Sequence, residues 1–319
     1  MKKAYSVISN LSQEAITFLE NNNIQLTIND SDNIPNTQEL IDLLQKYDIL
    51  IIGVKTIVTT DILEHISSPK IIATLSIGLD HIDKEVRESN LVHVINIKNA
   101  NTISVAEHIF SLILGLNKRV YESNNLVLQQ KGHKKNLHER PEDISNKKLG
   151  LIGAGNITKE VIKIAKVFNM QLSCYTRNPN NHKNLLEYGV IFKSLDEILK
   201  ESDIINVSIP LTEETRYLIS KDKIELTKPI ATFINTSRVD IVDTKALIEK
   251  ADKYNTFYVG LDIDLDEHKE LLAQYRNNVI ITPHTAGVSK QAIERMDFEL
   301  ANNIVNCLNG GKIWKIIIY

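Results

Sequence analysis

Short apolar runs alternate along nearly the whole chain with stretches whose apolar residues recur every three or four positions. This is the pattern of parallel strands joined by helical crossovers. In the first hundred residues it predicts strands at Ala4–Ile8, Ile24–Ile28, Ile49–Ile52, Ile71–Leu75 and Val92–Ile95. Helices are predicted to start at Thr37 and Thr60, each with a hydroxyl able to cap free amides. From Ser104 to about Gln130, Val105, His108, Ile109, Leu112, Ile113, Leu116, Val120 and Leu126 recur at helical spacing and predict one long helix able to join two domains. The polar segment Lys131–Lys148, with Gly132 and Pro141, reads as a surface loop. The alternation then restarts, with strands predicted at Leu149–Ile152, Leu172–Tyr175, Ile204–Ser208, Ile230–Ile234, Phe257–Leu261 and Val279–Ile281 and a final helix over Gln291–Leu308. The fold class is therefore α/β, with two doubly wound parallel-sheet domains.

Composition narrows the classes of function. At 319 residues the chain is about twice the length of a typical domain, which agrees with two. Charged residues make up 24% and apolar ones 43%, a balance foreign to disordered, collagen-like or disulfide-stapled chains. A net charge of -3 supplies no field to hold a nucleic acid backbone or an anionic membrane surface, so neither partner is expected. The best apolar run, Ile49–Ile52, ends at Gly53, far short of the roughly 20 residues that cross a bilayer. No secretory pattern follows Met1-Lys2-Lys3, so a cytoplasmic protein is expected. Cys174 and Cys307 lie far apart without metal spacing, as reduced, buried thiols would; no metal site is expected.

Candidate chemistry starts at Leu149-Gly150-Leu151-Ile152-Gly153-Ala154-Gly155-Asn156-Ile157-Thr158, a buried strand running into a glycine turn and a helix. In a dinucleotide site the first glycine permits the tight turn, and the second lets backbone amides approach the pyrophosphate at the helix N-terminus. Gly153 and Gly155 fit those roles, whereas Thr158 stands where a third glycine usually allows close helix-to-strand packing. NAD sites usually carry an acid roughly 20 residues further on, for the ribose hydroxyls. Here the second strand ends in Thr176-Arg177-Asn178. A guanidinium in place of a carboxylate favours a 2′-phosphate, hence NADP over NAD.

Three polar groups follow apolar strands in the second half: Arg238, the acidic run from Asp262 through Asp264 and Asp266 to Glu267, and His284. In an open α/β sheet the carboxyl ends of strands are where ligands bind. Reducing a 2-keto acid needs a cation for carboxylate and carbonyl and a proton donor for the developing alkoxide, with hydride from a cofactor. A histidine paired with a carboxylate suits the donor, because the acid favours the protonated ring.

Taken together, Ser76–Asp83, Asn101–His108, the glycine turn, Pro210–Thr215, Asn235–Arg238 with Val242-Asp243, and Thr282-Pro283-His284 resemble the D-isomer-specific 2-hydroxyacid dehydrogenases over nearly the whole chain. The resemblance implies a flavodoxin-like substrate-binding domain made of residues 1–101 and 288–319, a Rossmann NAD(P)-binding domain at 102–287 inserted into it, a cleft that closes on the ligand, and a homodimer. It implies that Arg238 binds the substrate carboxylate and polarises the carbonyl, that His284 is the general acid/base, and that Glu267 orients and charge-stabilises the histidine. The amides of Ile77 and Gly78 would take the other carboxylate oxygen. On the cofactor side it implies Gly153, Gly155, Asn156 and Ile157 at the pyrophosphate, Thr176 and Arg177 at the adenosine ribose, Ile209, Pro210 and Thr215 beside the adenine, and Thr236 and Asp262 at the nicotinamide carboxamide.

The chain departs from the family pattern at several positions. Asp264, Asp266 and Glu270 crowd around Glu267, which register from Asp262 selects. Val239 replaces a glycine after Arg238, so a backbone different from the family pattern is expected there, and Asp264 and His268 replace an aromatic and a proline. Among the branches, Ile77 in place of a lysine disfavours oxidation of an inorganic anion, and Glu267 disfavours the formate branch. The lack of a tyrosine near Ala100-Asn101 disfavours D-lactate, and a tail reaching Tyr319 without the regulatory domain found in many phosphoglycerate enzymes is not expected of that branch. Glyoxylate or hydroxypyruvate reduction is the nearest resemblance. The alternative is a non-catalytic, dinucleotide-sensing scaffold resembling the family's corepressors. His81 and His108 read as structural residues.

Overall fold

The computed structural model describes residues 1–31, 33–263 and 276–310. Tertiary contacts divide the chain into two units, Met1–Asn101 with Lys290–Tyr319, and Thr102–Ser289. Each is built on one parallel sheet flanked by helices, as the alternating pattern predicts.

In the first unit the strands are β1 (Lys2–Ser6), β2 (Ile24–Ile28), β3 (Ile49–Ile52), β4 (Lys70–Thr74) and β5 (Val92–Asn96), in the order β2-β1-β3-β4-β5. This is the flavodoxin-like order. All four residues of β3 are buried because helices cover both faces of the sheet, which is why that strand is continuous Ile and Leu rather than alternating. The helices are α1 (Gln13–Asn21), α2 (Thr37–Lys46) and α3 (Lys84–Glu88). The last helix of the chain joins them: Met296, Leu300, Ala301, Ile304 and Val305 share one core with Ala15, Leu19, Ile49 and Ile71.

Three details of this unit differ from the sequence expectation. The cap of α2 is Asn36, not Thr37: its side chain accepts from the Glu39 amide at 3.0 Å while Glu39 accepts from the Asn36 amide at 2.8 Å. The stretch predicted as a helix start at Thr60 is a 3₁₀ helix, Thr60–His65, and the Thr60 amide is satisfied by Asp83, 23 residues away, at 2.9 Å. The first strand runs Lys2–Ser6 rather than Ala4–Ile8, because the Ser6 hydroxyl bonds the Ile8 carbonyl and amide and turns the chain.

The second unit contains α4 (Thr102–Asn117), α5 (Val120–Leu128), β6 (Lys148–Ile152), α6 (Asn156–Val167), β7 (Gln171–Tyr175), β8 (Ile191–Phe192), α7 (Leu195–Glu201) and β9 (Ile204–Val207). It continues with α8 (Lys221–Glu225), β10 (Thr232–Asn235), α9 (Thr244–Lys253), β11 (Tyr258–Asp262) and β12 (Val279–Thr282), and α10 (Lys290–Leu308) returns to the first unit. Its sheet runs β12-β11-β10-β9-β6-β7-β8, all parallel, the doubly wound Rossmann order extended by a seventh strand. The short β8 has no counterpart in the sequence reading. Strand β10 begins at Thr232 rather than Ile230, which is 57% exposed.

The long helix expected from Ser104 to Gln130 is two helices. Arg119 between them takes a left-handed backbone, φ 57°. Its side chain is 1% exposed, donates to the Tyr258 hydroxyl at 2.9 Å, lies 4.5 Å over that ring and pairs with Glu122 at 3.4 Å. A guanidinium so placed has to keep these partners, and the backbone leaves the helix to reach them. Apolar spacing continues through the break and therefore hides it; Val120 on the far side is 54% exposed.

Candidate active site

Because every strand of the second sheet runs the same way, the segments that follow β6, β7, β9, β10, β11 and β12 emerge on one edge. Gly153, Thr176 and Arg177, Ile209 and Pro210, Thr236 to Arg238, Asp262 and His284 all end or follow these strands. The order reverses between β9 and β6, the crevice where ligands of open α/β sheets bind.

Gly153 occupies this crevice with φ 109°, and a Cβ there would stand 2.3 Å from the Ser208 carbonyl oxygen at the end of β9. Only glycine fits. Gly155 caps α6 with bare backbone, and a Cβ built on it would meet nothing within 4 Å. An open approach to a helix N-terminus is what a pyrophosphate requires, so these residues fit a dinucleotide. Ile157 packs its side chain on the core, and Asn156 is exposed and accepts from Lys159 at 3.3 Å. Thr158 is fully buried and its hydroxyl donates to the Gly153 carbonyl at 2.8 Å. The residue in place of the third glycine thus ties the first turn of α6 back onto the glycine turn.

At the end of β7, Thr176 is half-buried, and Arg177 is exposed and paired with Glu214 in the loop after β9. Thr215, in the same loop, is buried: its hydroxyl donates to the Pro210 carbonyl and accepts from the Thr212 amide, each at 2.7 Å. It holds the loop's shape. Ile209 is half-buried against the sheet's second core. Cys174 on β7 is buried, and desolvation pushes its thiol up to about 12, so it is no nucleophile. Cys307 is half-buried rather than buried.

At the opposite end of the edge, Arg238 follows β10 in extended backbone. Asn235, 1% exposed, shapes this turn by donating to the Arg238 carbonyl at 3.0 Å and accepting from the Ser237 amide at 3.0 Å. Thr236 is half-buried within it. Val239 opens a 3₁₀ turn without a positive φ, so the valine is compatible with its backbone.

Asp262, 3% exposed at the end of β11, is the hub of the loop that follows β12. Its Oδ1 accepts from the Thr282 hydroxyl at 2.5 Å and the Thr285 amide at 2.8 Å, and its Oδ2 from the Ala286 amide at 2.9 Å. These bonds bracket His284, whose φ of 54° is left-handed. That conformation costs a non-glycine residue about 1–2 kcal/mol and persists where neighbours over-determine it. His108 on α4 adds a contact to Thr282 Oγ1 at 2.9 Å. Glu267 lies outside the described residues.

Ile77 and Gly78 belong to the first unit, in the loop after β4. Their carbonyls are engaged locally, by the Asn96 side chain at 2.8 Å and the Ser76 hydroxyl at 2.7 Å. Buried His81 contacts Thr74 Oγ1 at 2.9 Å, and Thr74 contacts Ser76 at 3.0 Å, so this histidine helps to hold the loop.

Sequence reasoning overlooked Asn235 and Thr282 as elements that hold site residues, and it set His108 aside as structural. A polar residue on an otherwise apolar helical stripe was the available signal for His108. Among the described residues no His, Cys, Asp or Glu group gathers to hold a metal ion, and no helix is long and apolar enough to cross a membrane.

Comparison with known proteins agrees with this architecture. A glyoxylate reductase of Pyrococcus furiosus is 29% identical over 84% of this chain and 81% of its own length. A hydroxypyruvate reductase of Thermotoga maritima is 33% identical over 83% of this chain and 86% of its own. The solved structure of an acyclic imino acid reductase in complex with NADPH and D-Arg superposes with a TM-score of 0.85 at 28% identity, covering 100% of this chain and 99% of that one. Residues 110–286 match the family described as D-isomer specific 2-hydroxyacid dehydrogenase, NAD binding domain. With its Rossmann sheet and dinucleotide-compatible glycine turn, the chain belongs to the D-isomer specific 2-hydroxyacid dehydrogenase family and is a nicotinamide-dinucleotide-dependent oxidoreductase.

Proposed function

We propose that the protein reduces a small 2-keto acid, with glyoxylate and hydroxypyruvate as the nearest candidates, and that it prefers NADPH to NADH. The carrying observation is the Asp262 clamp, which holds His284 in a left-handed backbone at the carboxyl end of β12. A costly conformation kept by a dedicated carboxylate suits a residue that must aim its imidazole at a reacting atom.

The dinucleotide, when bound, supplies the hydride. Gly153, Gly155, Asn156 and Ile157 hold its pyrophosphate through backbone at the N-terminus of α6. Ile209, Pro210 and Thr215 line the adenine side, and Thr236 and Asp262 take the carboxamide. Asp262 Oδ2 accepts one backbone amide and retains a lone pair for a further N–H. The planar guanidinium of Arg238 binds the substrate carboxylate and polarises the carbonyl, while the amides of Ile77 and Gly78 take the other carboxylate oxygen. His284 gives its proton to the oxygen that becomes the alcohol, and Glu267 stabilises the protonated ring.

NADPH preference rests on the end of β7, which offers Arg177 and no carboxylate. Arg177 is engaged by Glu214, with side chains 46% and 72% exposed. Exposed pairs of this kind contribute at most about 1 kcal/mol. A 2′-phosphate carrying about two negative charges outcompetes a single carboxylate for the same guanidinium. We also assign residues 1–101 with 288–319 to substrate binding and 102–287 to the dinucleotide, in a cytoplasmic homodimer. Sedimentation of the purified protein tests the dimer.

The deciding experiment is loss of nicotinamide absorbance with NADPH or NADH against glyoxylate, hydroxypyruvate, pyruvate and longer 2-keto acids. The panel is repeated with an added amine, because one solved relative is an imino acid reductase. Fast NADPH oxidation by the small keto acids supports the proposal. Turnover only with amine present, or none at all, refutes it.

A further inference from the structure

A polar chain that the catalytic assignment does not use leads from α4 into the loop bearing His284. His108 Nε2 lies 2.9 Å from Thr282 Oγ1 and 3.8 Å from Asp262 Oδ1, and the Thr282 hydroxyl is 2.5 Å from the same Oδ1. A carboxylate only accepts, so the single hydroxyl proton of Thr282 goes to Asp262. The contact with His108 then runs the other way: Nε2 carries the hydrogen and donates to Thr282. Helix α4, strands β11 and β12 and the 283–286 loop thus converge on one buried carboxylate, which in turn binds the two amides after His284.

We infer that His108 is a positioning residue for the reaction. Through Thr282 it fixes the rotamer of Asp262, and Asp262 fixes the left-handed backbone of His284 and the direction of its imidazole. The inference rests on His284 being the proton donor, as proposed above. The geometry singles out this histidine from its neighbours on α4. Ile109, Leu112 and Ile113 fill the core of the unit, whereas His108 alone on that stripe is only half-buried and ends on a side chain of the site. An apolar residue at position 108 would keep the helix packed but remove the donor that Thr282 accepts from, leaving its hydroxyl held only through its own donation to Asp262. The carboxylate would then be free to turn away from one of its two amides.

The test uses the purified full-length protein with His108→Leu, His108→Gln, Thr282→Val and His284→Gln. Amide hydrogen exchange of the peptide containing Thr285 and Ala286 is measured without ligand, and kcat and KM are measured with NADPH and the best keto acid. His108→Leu and Thr282→Val are expected to speed exchange of those two amides about tenfold. They should also lower kcat about tenfold or more, since small misplacements of a reacting group are costly, and change KM for NADPH by less than about twofold. His108→Gln, whose side-chain N–H reaches the same distance, should restore both. Unchanged exchange in both His108→Leu and Thr282→Val overturns the inference, as does equal damage in the leucine and glutamine variants. Retained turnover in His284→Gln overturns the donor assignment instead, and the exchange data still decide whether His108 holds the loop. Should the leucine variant not fold, Thr282→Val cuts the same chain from the other side.

Discussion

Replacing Thr158 by valine isolates one hydroxyl at the centre of the proposed dinucleotide site. Valine keeps the volume, the β-branch and nearly the helix propensity of threonine, so the change removes only the 2.8 Å bond to the Gly153 carbonyl. That carbonyl belongs to a glycine at φ 109°, wedged against Ser208, and Thr158 is fully buried. Leaving such an acceptor with only the weak donor Cys174 Sγ at 3.5 Å costs about 1–3 kcal/mol. At roughly 2–4 °C per kcal/mol for a domain of this size, a loss of about 2 kcal/mol lowers Tm by about 4–8 °C. If the loss falls wholly on the turn proposed to hold the pyrophosphate, NADPH affinity drops by at most about thirtyfold. Thr158→Ser should keep the affinity and lose only the packing of a methyl group. Thr158→Gly restores the residue usual in this turn, yet it should be worse than valine, because it loses the bond and adds about 1 kcal/mol of backbone entropy. Thermal unfolding by circular dichroism and NADPH titration by nicotinamide fluorescence provide the readouts. A Thr158→Val protein with unchanged Tm and unchanged NADPH affinity would show that the hydroxyl does not hold the turn.

His284→Gln should cut kcat by about a hundredfold or more with NADPH binding within about twofold, and unaltered turnover would remove its acid/base assignment. Arg177→Asp should reverse the NADPH to NADH ratio of kcat/KM, while Glu214→Gln, which frees Arg177, should lower KM for NADPH up to about fivefold and leave NADH unaffected; equal effects on both cofactors would refute the 2′-phosphate reading. At Asp203, burial raises the carboxyl pKa, but the Lys148 amide and the Lys228 ammonium outweigh it and hold the pKa below its ordinary value. The native state therefore favours the ionised form. The stabilisation is present above the ordinary carboxylate pKa and is lost as pH falls through the depressed one. Urea unfolding between about pH 5 and pH 2 should accordingly show a shallower loss of stability in Asp203→Asn than in the parent, and parallel profiles would disprove it.

What could be read from the chain was what local chemistry controls. A strand buried on both faces must be apolar throughout, so Ile49–Ile52 and Leu149–Ile152 announced themselves, and with them the α/β class. A turn that admits no Cβ must be glycine, so Gly153 was legible too. By itself the sequence thus determined the α/β class and the glycine turn after β6. Tertiary structure decided the rest, because it depends on how side chains and backbone are brought together in the fold. Arg119 breaks a helix whose apolar spacing runs on unbroken, since its guanidinium bonds Tyr258, 139 residues away. Thr158 replaces a glycine without opening the turn, because a carbonyl five residues back happens to face it. His108 reaches Thr282 across 174 residues, a contact that its place on the helical stripe does not reveal. Periodicity records which face of an element is buried, but a hydrogen bond between side chains depends on where two elements are brought together, and only the folded chain specifies that.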